Sequence, residues 1–147
     1  MPTGVKVLLW VVFAIILLSI LRVNKSNTVT TKPELTKEEY IAQCIDVDYE
    51  AVARHPNDFK GEKITFSGKV VQVSEGSYVT LRINQGGDYD ATWYVRYTPT
   101  ENEGRILEND TIVVYGECTG TKTYTAVLGN NVTIPSMSMM YYTIDGK

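Results

Sequence analysis

The chain has 147 residues, 44% hydrophobic and 21% charged, an ordinary composition for about one folded domain. Residues 1–32 carry four basic side chains and no acid, whereas the remainder carries ten basic side chains against seventeen acidic ones, a balance near −7. A surface that acidic repels phosphate backbones at long range, so a nucleic-acid ligand needs a local basic patch. No basic run supplies one, which counts against nucleic acid as a partner.

Residues 7–21, VLLWVVFAIILLSIL, hold no charge, and Lys6 and Arg22 can snorkel toward the two interfaces. As a helix, Val5 to Val23 would span roughly 28 Å, close to the hydrocarbon thickness of a bilayer. The following residues lack the small side chains of a signal-peptidase site and lack a lipid-accepting cysteine. Residues 1–23 are therefore predicted to form one uncleaved, single-pass transmembrane helix. Lys6 and the amino terminus on one flank, and Arg22, Lys25 and Lys32 on the other, leave its orientation open.

Residues 24–35 are polar, rich in threonine and broken by Pro33, as expected of a flexible linker. A domain is predicted over residues 36–147. Thr36 followed by Glu39 is a capping-box pattern that opens a helix, and Tyr40, Ile41, Cys44 and Ile45 recur at its three- and four-residue spacing, facing inward. A second short helix is predicted over residues 48–54. His55, before Pro56, is read as an exposed imidazole at that helix's end.

From Lys63 the period changes to two. KITFSGKVVQV reads as a strand with a bulge or bend at Gly68, SYVTLRIN follows the turn EGS, and TWYVRYT follows the loop QGGDYDA. The connector PTENEGRILEND carries a predicted helical turn at residues 105–107. TIVVYGECTG is a fourth strand, and KTYTAVL and VTIPSMSMMYYTI, joined by GNN, complete the set. The fold class is mainly β. Five or six short strands after short helices suggest a small closed barrel, with the oligonucleotide/oligosaccharide-binding (OB) fold as the leading candidate and an open sandwich or SH3-like barrel as the alternative.

If VTLRI pairs with TWYVRY, alternation sends Val79, Leu81, Ile83, Trp93, Val95 and Tyr97 inward and leaves Tyr78, Thr80, Arg82, Tyr94 and Arg96 outside. Aromatic rings flanking guanidinium groups can stack bases, sugar rings or peptide side chains. They are equally good cross-strand pairs on a solvated sheet.

Other chemistry finds less support. Asp88 and Asp90 lack the further ligands of an EF-hand loop, and Asp46 and Asp48 serve as helix-flanking caps, so neither a metal nor a cofactor is expected. GxSxG, HExxH, Walker A and GxGxxG patterns are absent, and no catalytic residue is assigned. The one conceivable nuclease set is Arg82, Arg96, Asp88 and Asp90. Cys44 and Cys118 form no CxxC or Cys/His array, which excludes a structural zinc and leaves either one disulfide or two free thiols.

The series from Cys44 through IDVDYEAVARHPNDFKGEKITFSGKVVQV, then GRILEND, VVYGECTGTKTYTAVLG and VTIP, resembles a group of membrane-anchored proteins and lipoproteins of Gram-positive bacteria and their prophages. These are OB-fold-like extracytoplasmic proteins of unestablished function. The resemblance implies a domain on the outer side of the cell membrane and a Cys44–Cys118 disulfide. The resulting expectation is a non-catalytic, membrane-anchored module that binds a protein, peptide or cell-wall glycan. The alternatives are a single-stranded nucleic-acid binder, active in DNA entry or phage exclusion, and a metal-dependent nuclease.

Overall fold

The structure, a computed structural model, describes residues 34–145. The expected anchor and the linker up to residue 33 lie outside the described residues. Among the described residues no helix is long and apolar enough to cross a membrane.

The capping box forms as expected. The Glu39 amide donates to the Thr36 hydroxyl at 3.3 Å, and the Thr36 amide donates to the Glu39 carboxylate at 2.9 Å, opening helix α1 (Lys37–Gln43). Its apolar face is shallower than the spacing predicts. Tyr40, Ile41 and Cys44 are only half-buried, because the chain leaves the helix at Cys44 with extended backbone. Ile45 therefore falls out of helical phase and, 47% exposed, enters a two-residue strand β1 (Ile45–Asp46). Helix α2 (Tyr49–Arg54) starts where the Asp48 carboxylate accepts from the Glu50 amide at 3.2 Å, and α3 (Pro56–Phe59) begins on its proline. His55 lies exposed between them.

Five longer strands follow: β2 (Lys63–Glu75), β3 (Val79–Gln85), β4 (Thr92–Tyr97), β5 (Thr111–Thr125) and β6 (Asn131–Ile144). Their order is β1-β2-β3-β4-β6-β5, and β5 returns to pair with β2, so β2 to β6 close on themselves with β1 as an added parallel strand. All neighbours in the ring are antiparallel except β4 and β6. This is a five-stranded, Greek-key barrel of OB-fold type.

The period-two reading accounts for its interior. Leu81, Ile83, Trp93, Val95 and Tyr97 are buried as predicted, with Ile64, Phe66, Val70, Ile112, Val114 and Met137. Val79 is partly buried against this core. Phe66 stacks on Trp93 at 4.5 Å between ring centres. The Trp93 indole donates to Gln85 Oε1 at 3.0 Å, and Gln85 Nε2 donates to the Val47 carbonyl at 2.7 Å. One side chain thus ties the segment before α2 to the barrel.

Closure depends on β2 serving two neighbours. It pairs with β5 over Lys63–Lys69 and with β3 from Gly68 to Glu75, and the changeover falls at Gly68. A Cβ there would lie 2.6 Å from the Asn84 carbonyl oxygen and 2.6 Å from Ile83 Cγ2. The predicted bend at Gly68 is therefore a close backbone approach, while the bulge itself falls between Val70 and Gln72.

Two other expectations are corrected. TIVVYGECTG and the KTYT of KTYTAVL belong to one strand, which ends at Thr125, because Gly120, at φ 96°, absorbs a register shift between Cys118 and Gly120 instead of ending the ladder. The connector residues 105–107 are not helical. Ile106 is buried there as a plug, and the loop is pinned by Tyr97 donating to the Glu103 carboxylate and Tyr142 donating to the Gly104 carbonyl at 2.7 Å.

The expected Cys44–Cys118 disulfide is also absent: both are free thiols. Cys118 belongs to the barrel core. The Cys44 thiol instead donates to the Tyr40 carbonyl at 3.4 Å, near Lys63 and the Gly116 backbone. Burial pushes both thiols above their ordinary pKa, which disfavours the reactive thiolate.

Two measurements test these features. Gly68→Ala should cost about 2 kcal/mol or more of unfolding free energy, read as a fall in the urea midpoint, because its neighbours include main-chain atoms. Without reductant, denatured protein should titrate two thiols, and native protein should expose Cys44 slowly and Cys118 only on unfolding. A single disulfide and no titratable thiol would contradict the free-thiol arrangement.

Candidate ligand-binding face

The register of β3 on β4 builds the outer face. Thr80 pairs with Arg96 and Arg82 with Tyr94, and since their neighbours Leu81, Ile83, Trp93 and Val95 point into the core, these four point out. Tyr78 stands just before β3, and the Arg96 guanidinium lies over its ring, 3.7 Å from the centre. A guanidinium and a phenol at that distance hold each other in place without ligand.

On the other side of β4, the parallel strand β6 sets Ser136 beside Tyr94 and Ser138 beside Arg96. The Thr119 and Ser136 hydroxyls lie 2.8 Å apart. Between these elements runs a groove of about 580 Å³, lined by Tyr78, Tyr94, Arg96, Thr98, Thr119, Thr121, Lys122, Ser136, Met137 and Ser138. Two cations, two phenols and five hydroxyls line it, with no carboxylate.

The distal parts of β5 and β6, residues 121–125 and 131–135, pair with each other beyond the reach of the β2 and β4 ladders and form an arm. The arm meets the β3–β4 face at two points. Lys122 Nζ lies 5.7 Å from the Tyr94 ring centre, and the Tyr124 ring centre lies 4.1 Å from Arg82 Cζ.

Of the five residues predicted for this face, Tyr78, Tyr94 and Arg96 line the groove. Thr80 shares the face outside the lining, and Arg82 is outside it too, with Tyr124 stacked over its guanidinium. Lys122, Tyr124 and the hydroxyl-bearing residues of β5 and β6 are the contributors that sequence reasoning missed. The alternation in TKTYT does place Lys122 and Tyr124 on one side of a strand. Nothing local says which face that strand would meet.

Charge is segregated around the groove. Among the described residues, the ion pairs are Arg54 with Glu50 and Arg105 with Glu75, while Arg82, Arg96 and Lys122 take part in none. The remaining candidates are not gathered here. The Asp88 carboxylate accepts from the Asp90 amide at 2.9 Å within the β3–β4 turn, Asp48 caps α2, and neither Asp88 nor Asp90 lines the groove. Among the described residues, no group of three His, Cys, Asp or Glu side chains is placed to hold a metal ion.

No protein-family model matches the chain, and no curated protein matches it. Among solved structures, it is similar to a mitochondrial single-stranded DNA-binding protein from S. cerevisiae, with 13% identity and a TM-score of 0.40, over 60% of this chain and 99% of that one. The barrel assignment rests on the pairing order itself.

Proposed function

We propose that this domain binds single-stranded nucleic acid along the β4–β6 groove, without catalysis, beside a membrane in which residues 7–21 anchor the chain. The observation that carries this reading is the composition of the groove. Arg96 and Lys122 attract phosphates, Tyr78 and Tyr94 offer rings for base stacking, five hydroxyls can donate to phosphate or sugar oxygens, and no carboxylate opposes them. Barrels of this type present ligands on this same side, between the second and third barrel strands and the loops flanking them. That agreement is an analogy of fold, and the groove chemistry is the stronger support.

The groove also answers the objection from net charge. With a Debye length of about 8 Å at physiological ionic strength, distant acids are screened while a phosphate in the groove meets unpaired cations. A protein, peptide or neutral cell-wall glycan remains the competing occupant. Such ligands make less use of three cations on one face that lack carboxylate partners.

The test is fluorescence anisotropy with the full chain in detergent and a labelled single strand of about 12 nucleotides. Binding should weaken with salt at a log–log slope near −2, about what three phosphate contacts on a single strand give. Arg96→Ala should weaken it about tenfold, through lost stacking and lost charge. No binding at low salt would end this reading, and salt-independent binding of a neutral glycan in the same groove would replace it.

A further inference from the structure

We infer that Tyr124 is a built-in occupant of a second stacking position on this face, a competitor that lowers the advantage of longer strands over short ones. The inference rests on the single-strand reading above.

The face carries two guanidinium–phenol stacks of the same kind. In the first, Arg96 lies over Tyr78, and both line the open groove. In the second, Arg82 pairs in register with groove-lining Tyr94, which makes it the next position along the same surface, yet it does not line the groove. What covers it is the Tyr124 ring, brought from the arm to 4.1 Å from the guanidinium. A phenol on a guanidinium has the geometry that a nucleobase adopts on one. Tyr124 therefore holds the place a base would take.

The Tyr124 side chain is the part free to yield that place. Ile134 and Pro135 on the β6 side of the arm are buried, whereas Thr121, Lys122, Thr123 and Thr125 beside Tyr124 on β5 are exposed and leave its ring room to swing outward. Arg82 is fixed by ladders on both sides, from β2 and β4. Exchanging one ring for another over Arg82 changes little energetically by itself. A strand already held in the open groove presents its next base at high effective concentration, so it can exchange with Tyr124 where a free short fragment cannot. Short fragments should therefore occupy the groove alone and be indifferent to Tyr124. Longer ones should compete with it.

The experiment compares single strands of about three and about ten nucleotides on the full chain in detergent. For Tyr124→Ala, affinity for the longer strand should rise about three- to fivefold, the loss of one exposed cation–π contact, with no change for the shorter one. Tyr124→Phe, which keeps the ring, should match the unmodified protein, and circular dichroism checks that both variants are folded. Weaker binding of the long strand by Tyr124→Ala would make Tyr124 a fixed platform and overturn the inference, as would an equal change at both lengths or none at either. Absence of binding to any strand by the unmodified protein would instead remove the single-strand reading, and this inference with it.

Discussion

Strand β2 cannot pair with both β3 and β5 unless it bends, and it can bend because Gly68 brings no side chain against the Asn84 backbone and the Ile83 side chain. That approach lets β2 to β6 close into a ring, with β1 left as an added strand. In a closed ring the inside is filled by alternate residues of every strand, so the parity of β3 and β4 is set by the barrel as a whole. A slip of one residue would send Arg82 and Arg96 into the core and Leu81 and Val95 into water. The large cost of burying two guanidinium groups fixes the outer face as firmly as the inner one.

How much of this was legible follows from the range of each contact. The capping box, the switch of period at Lys63 and the inward sets of β3 and β4 depend on neighbours in sequence, and each formed as read. The shallow seating of α1 and the missing helical turn at residues 105–107 show the opposite case. There, short local patterns were overruled by what the barrel offered to pack against, with Ile106 used as a plug. Gly120 misled in a third way, since a glycine in a strand pattern signals a turn or a bulge equally well, and only the ladder to β6 decides between them.

The face itself divides along the same line. Tyr78, Thr80, Arg82, Tyr94 and Arg96 could be assembled from one hairpin, because their register follows from a single pairing. Lys122 and Tyr124 reach the face only because β5 continues through its bulge and curls over β4 with β6. A basic patch made of one residue each from three strands never appears as a basic run. A net charge near −7 over residues 33–147 and a cationic groove are therefore compatible, since the first is a sum and the second a placement.

That placement carries an energetic consequence. An unpaired guanidinium on a sheet surface is usually a solvated one, adding little to stability. Here both arginines of the face lie over phenol rings, which orders their side chains before anything binds. Ordering a long side chain in advance removes part of the entropy that a ligand would otherwise have to offset. Arg96 stays exposed in the groove while resting on Tyr78, so a surface that is merely stable and a surface prepared for a stacked, anionic ligand share the same geometry at Arg96. They differ at Arg82, where the ring comes from the distal part of β5 rather than from the β3–β4 hairpin, so a ligand reaching that position must exchange with a side chain the protein itself supplies.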